Sequence, residues 1–185
     1  YATEPHPEAR TDALPKLPPR ALWWFRWGAK VTFLTGHNML GLRGACVTLY
    51  ISVGDVICTL MFLNVWLIIW PNQKIVIASA EKAAAGGEAD PAAAGALAKA
   101  GLASRTNTLF SIPMLFFMAS SVHLAQLGIS VTSASMLSLI VVFGIIALLE
   151  VNAIAGKTGP MTSVKGVIHM GLLLTVVLYL GVDLL

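Results

Sequence analysis

Glu150 and His169 stand ten residues before and nine residues after Pro160. If two helices fold back on each other at that proline, a rise of about 1.5 Å per residue puts both side chains at one depth, about 15 Å from the turn. A carboxylate and an imidazole at one level can share a proton or hydrogen-bond a quinone head group. The plainer reading is an interhelical hydrogen bond that holds the hairpin, a common use of such pairs in membranes. Asn152 and Lys165 fall nearer the turn.

Asp55 precedes Pro71 by sixteen residues, about 24 Å of helix. Measured from Arg105 along a returning helix, the same depth falls near Ser120, Ser121 and His123. The expectation is a polar cluster of Asp55, Ser52, Ser120, Ser121 and His123, in which Asp55 accepts from the serines or meets a cation of a neighbouring subunit. His37, His123 and His169 are also candidate haem ligands, because a bis-histidine haem b needs two imidazoles facing each other at one depth. His123 and His169 are expected on opposite sides of the membrane, which leaves His37 with His123. For isolated histidines a role other than ligation is the commoner one. Cys46 and Cys58, twelve residues apart on one expected helix and so about 18 Å apart along it, cannot bridge each other. They match no haem-attachment or zinc pattern and read as small packing residues. No metal site is expected.

These groups are carried on apolar runs at 45–70, 107–127, 134–154 and 164–185. Each run has the roughly 20 residues that a helix needs to cross a bilayer core of about 30 Å. The chain is 57% hydrophobic and 11% charged, with a mean hydropathy of +0.79. That composition excludes a soluble enzyme and a disordered chain. The fold class expected is all-α, an integral membrane protein of four helices with an extended, Trp-rich N-terminal arm. The net charge of +3 does not point to nucleic acid, since the basic residues are spread over loops where membrane orientation accounts for them.

Along the chain, residues 1–44 form an arm outside the membrane and an interfacial tryptophan segment, and residues 45–185 the transmembrane domain. Pro5, Pro7, Pro15, Pro18 and Pro19 argue against a continuous helix in residues 1–20. Trp23, Trp24 and Trp27, flanked by Arg20, Arg26 and Lys30, suit the headgroup layer at the outer membrane interface or a protein contact. Gly36, Gly41 and Gly44 weaken 28–44 as a helix. A break is expected at Trp70-Pro71, then a helical extension closed by Gly86-Gly87, then a short helix outside the membrane opened by Asp90-Pro91 and ending near Ser104. Pro113 is expected to kink the second span. The 128–133 connection is short and uncharged, and 156–160 makes a tight hairpin. No signal peptide is apparent, and the absence of an initiator Met suggests a start inside a longer chain. The N-terminal segment carries six Lys/Arg, and the 71–105 and 157–165 connections together carry another six. Distance from the span ends discounts Arg10, Lys16 and Arg20. The 71–104 loop is therefore expected in the cytoplasm and both termini in the periplasm, in a multi-pass protein of a bacterial inner membrane.

Three stretches, Leu17–Trp27, Asn64–Lys74 (NVWLIIWPNQK) and Arg105–Met118 (RTNTLFSIPMLFFM) with His123 beyond it, together resemble the urate oxidase N-terminal family over roughly residues 15–127. Some members are membrane-bound urate hydroxylases with a C-terminal cytochrome c domain. In this resemblance Trp23 and Ser52 stand where the family carries histidines, the membrane sequence between the tryptophan segment and the PNQ helix is compressed, and no cytochrome c motif appears after Leu185. It implies a non-catalytic transmembrane subunit of a respiratory or photosynthetic electron-transfer complex, working with other subunits and with membrane lipids. A second implication is a redox membrane domain that binds haem b or quinone and passes electrons to a c-type cytochrome. A small transporter is a third reading, the weakest because no inverted repeat is evident.

Overall fold

The computed structural model describes residues 17–42, 44, 47–124 and 134–185. Helices account for its architecture, and among the described residues there is no β-strand. The expected all-helical class holds, and several element boundaries differ.

The first helix, α1, spans Leu17–Leu42 and overturns both the extended arm at 17–20 and the weak segment at 28–44. Pro18 and Pro19 fall in its first turn, where a missing N–H is no loss because those donors have no helical acceptor. Gly28, Gly36 and Gly41 face open space. Each costs about 1 kcal/mol of helix propensity, which packing offsets. Phe33 stacks on Phe62 with ring centroids 4.3 Å apart and planes 6° from parallel.

Helix α2 (Leu49–Leu63) opens on Thr48, whose side chain accepts from the Ile51 amide. It continues without a break through a π-helical turn at Asn64–Ile69 into α3 (Trp70–Ala84), one rod of 36 residues. The break expected at Pro71 is absent for a local reason. A proline ring clashes with the carbonyl four residues back, here that of Leu67. The turn before it is widened instead, and the Trp70 amide reaches back to the Val65 carbonyl, an i to i−5 bond. Asn72 adds a side-chain donor to the Ile68 carbonyl at 2.8 Å. The rod ends where expected, with Gly86 at φ +84°.

The Asp90 carboxylate accepts from the Ala92 amide at 2.8 Å and starts α4, which runs Ala92–His123 as one helix of 32 residues. The separate short helix and the second span are thus a single element. Nothing between Gly101 and Asn107 breaks it, and Ala96, Ala100 and Ala103 are buried, Ala103 against Val65 and Ile69 of the π turn. Helix α4 is the centre of the bundle, packed against α2, the π turn and α3, and against α5 (Met136–Ala155) and α6 (Val164–Asp183). Pro113 within it removes the donor that would bond the Leu109 carbonyl. Gly171 of α6 sits against that carbonyl, at 3.1 Å from where a Cβ would be. Helices α5 and α6 form the expected tight hairpin, through a short 3₁₀ turn at Gly159–Thr162. The 128–133 connection and Cys46 lie outside the described residues.

Among the described residues three helices are long and apolar enough to cross a membrane: Leu49–Ala84, Met136–Ala155 and Val164–Asp183. The fourth expected span lies within α4, whose Thr, Asn and Ser side chains dilute its apolar character while its neighbours cover it. The core is built from Leu49, Tyr50, Val53 and Ile57 of α2, Phe110 and Phe117 of α4, Ile146 of α5 and Leu178 of α6. Ile140, Leu148, Leu172 and Leu173 point outward, as lipid-facing positions do.

Candidate functional sites within the helical bundle

Asn64 opens the π turn and is fully buried. Its side-chain amide donates to Asn107 Oδ1 of α4 at 3.0 Å and to Glu150 Oε2 of α5 at 3.1 Å. Asn107 in turn donates to the Met61 carbonyl at 3.0 Å. One buried amide thereby ties three helices together. Asn64 Oδ1 is left without a partner among the described residues.

This cluster corrects the expected pairing of Glu150 with His169. The carboxylate turns to Asn64, and the exposed His169 ring bonds through Nδ1 to the Lys165 carbonyl of its own helix at 2.7 Å. The depth count fixes the level of each residue along its helix but not the direction it faces. Asn64 and Asn107 could have been found by extending that count. Asn64 lies seven residues before Pro71 and Asn107 two after Arg105, both close to the end of the bundle that carries the hairpin.

A second polar pair lies toward the opposite end. Asp55 Oδ1 is 3.3 Å from Nδ1 of His37, so its partner comes from α1 rather than from serines. Ser52 donates to the Thr48 carbonyl and Ser121 to the Met118 carbonyl, each within its own helix. His37 also lies against Phe33, ring centroids 4.6 Å apart. The pair lines a cavity of about 430 Å³ between α1, α2 and α4, walled by Leu40, Ile51, Cys58 and Met118, with Ser121 at its edge. Asp55 and Ser121 both line this cavity while Ser52 and Ser120 do not, so the expected five-residue polar cluster is not assembled. His123 is exposed in the last turn of α4 and does not line the cavity. Among the described residues no group of three or more His, Cys, Asp or Glu side chains could hold a metal ion.

The tryptophan segment, expected at the outer interface across the membrane from the 71–104 connection, lies elsewhere along the bundle. Trp27 meets Trp66 edge to face, centroids 5.9 Å apart, and the Arg26 guanidinium lies 3.9 Å from the centre of the Trp70 ring. Helix α1 is therefore antiparallel to α2, with its Trp end beside the α3 end and His37 beside Asp55. Trp23, Trp24 and Trp27 share an end of the bundle with the 71–104 connection instead of facing it across the membrane. The start of α1 also lies at the end opposite Leu185, whose carbonyl accepts from Ser135 near the start of α5.

The chain matches the urate oxidase N-terminal family over residues 42–179. It belongs to that family. Neither the comparison with curated proteins nor that with solved structures returned a match. For the urate oxidase N-terminal chain the match begins after the Leu17–Trp27 block and runs on past the other two. It takes in α5 and most of α6, and so contains Asn64, Asn107 and Glu150 together with Asp55.

Proposed function

We propose that this urate oxidase N-terminal chain is a non-catalytic transmembrane subunit of a membrane electron-transfer complex, associated with other subunits and with a c-type cytochrome. The observation that carries the reading is the Asn64 amide bound to both Asn107 and Glu150. Asn64, the most buried polar side chain among the described residues, is engaged in joining helices, which is a packing role. The family match supports a membrane domain related to the urate hydroxylases. The experiment is affinity isolation of the native assembly through a tag on this chain, with a visible spectrum of the chain alone. Redox subunits co-purifying with a chain that lacks a Soret band would support the proposal. A chain that purifies alone and carries haem would overturn it.

A second reading, a redox domain that binds a quinone, is favoured by the His37–Asp55 pair inside an apolar cavity. With Nδ1 held by the carboxylate, His37 presents Nε2 to a ligand, as imidazoles with a carboxylate partner do. A quinone head group fits these walls, with His37 hydrogen-bonding one ring oxygen. A bis-histidine haem fits less well, since no second imidazole lines the cavity. Replacement of Asp55 by Asn would then weaken quinone binding, read by quenching of intrinsic fluorescence on titration. Unchanged binding would remove this reading.

A further inference from the structure

Where α1 crosses the long rod at its π turn, three cations share three indoles. The Arg26 guanidinium lies 3.9 Å from the Trp70 ring centre, 5.3 Å from that of Trp66 and 5.9 Å from that of Trp27. The Lys30 ammonium lies 4.8 Å from Trp27 and 5.5 Å from Trp66, and that of Lys74 lies 5.8 Å from Trp70. Cation–π attraction explains why α1 docks here. It leaves two things unexplained. Among the described residues no carboxylate pairs with these charges, the one ion pair being His37–Asp55 at the other end. Arg26 Nε and Trp66 Nε1 are both buried donors without an acceptor among the described residues, and such donors are rarely left unmatched.

Every unmet group in this cluster is a donor or a positive charge, so the missing partner is an anion rich in oxygen. The position narrows its source. Trp70 lies 21 residues beyond Leu49, about 32 Å along the rod. That is close to the thickness of a bilayer core, so the cluster sits at the level of lipid phosphates. We propose that Arg26, Lys30 and Lys74, framed by Trp27, Trp66 and Trp70, form a binding site for the phosphate of an anionic phospholipid headgroup. The terminal amino groups of the guanidinium give paired donors to phosphate oxygens, and Lys30 and Lys74 add point charges beside them. The site is independent of the redox and subunit readings, because it uses neither the His37 cavity nor the Asn64 cluster.

The test uses the full chain in nanodiscs, with phosphatidylglycerol and phosphatidylcholine as competing lipids and native mass spectrometry to count retained lipid. The wild type should retain phosphatidylglycerol over phosphatidylcholine by about tenfold, and the double variant Arg26→Gln with Lys30→Gln should lose that preference. Retention unaffected by millimolar inorganic phosphate identifies the lipid as the source. Displacement by inorganic phosphate keeps the site and assigns it to a soluble phosphate. Equal retention of the two lipids by the wild type overturns the proposal without reference to any variant. So does a preference that survives in a double variant whose helical circular dichroism matches the wild type.

Discussion

Asn64 is the residue on which the packing of the bundle turns, because its one amide group serves two partners on two different helices. Interhelical hydrogen bonds in membranes couple their partners by about 0.6 kcal/mol on average and up to about 1.7. We expect the double-mutant cycle of Asn64→Ala and Asn107→Ala, measured by unfolding in mixed micelles, to show coupling in that range. Strictly additive losses would mean that the bond contributes nothing. Glu150→Gln keeps an oxygen acceptor for Asn64 and should destabilise less than Glu150→Leu, which leaves one Asn64 amide hydrogen buried without its acceptor while the other stays on Asn107. The polar residues were legible in the sequence as interruptions of apolar runs. Their partners were not, because a depth count carries no information on azimuth: Glu150 was placed at a sound level and joined to the wrong helix. Asp55 shows the same failure from another cause. Its partner His37 sits on α1, a segment that glycines and prolines made look too weak to be a helix.

Contact between elements is tightest where α4 meets its neighbours through glycine. A Cβ on Gly54 would come within 2.9 Å of the Met118 side chain, and one on Gly171 within 2.6 Å of Ile112 and 3.1 Å of the Leu109 carbonyl. The Met118 side chain can yield, whereas the Leu109 carbonyl belongs to the backbone of the central helix. Gly171→Ala should therefore destabilise by about 1–3 kcal/mol through overpacking, and Gly54→Ala by less. Thermal melting in detergent compares the two, and equal effects would count against the distinction. The sequence foretold the caps well: Asp90, Gly86 and the 156–160 turn behave as their residue types dictate. It misjudged continuity. Proline at 71 reads as a stop, although a widened turn absorbs the clash, and the Ala-rich residues 92–104 read as a separate short helix, although they run unbroken into the apolar stretch that follows.

At the scale of the whole molecule, the antiparallel docking of α1 changes the charge balance that sets orientation. Among the described residues Arg26, Lys30, Lys74, Lys82, Lys99, Arg105, Lys157 and Lys165 all belong to the end or half of the bundle that carries the α3–α4 connection and the α5–α6 hairpin. The opposite end carries Asp183, bonded to Tyr50 and Tyr179, and no described Lys or Arg. Among the described residues the near-even count of the sequence becomes one-sided, and the positive-inside tendency predicts a cytoplasmic hairpin and 71–104 connection. Cysteine introduced at Ala94 or Thr158 should resist an impermeant reagent applied to intact cells, and cysteine introduced at Leu185 should react. Labelling of Thr158→Cys from outside would reverse the orientation.

The π turn at Asn64–Ile69 has a consequence for how this chain can change over evolutionary time. Such a turn holds one extra residue within the helix without altering the angular phase of the residues beyond it. Removing an ordinary helical residue swings all later positions by about 100°, whereas removing the stored one leaves both flanks facing as before. Deletion of Leu67, which is 67% exposed, together with Pro71→Ala to relieve the restored clash, should yield a folded chain in which Trp70 still meets Arg26. Deletion of Val56, on the same rod, should turn Asn64 away from Asn107 and Glu150 and abolish cooperative melting. The long helix thus contains one place where its length is adjustable and many where it is not.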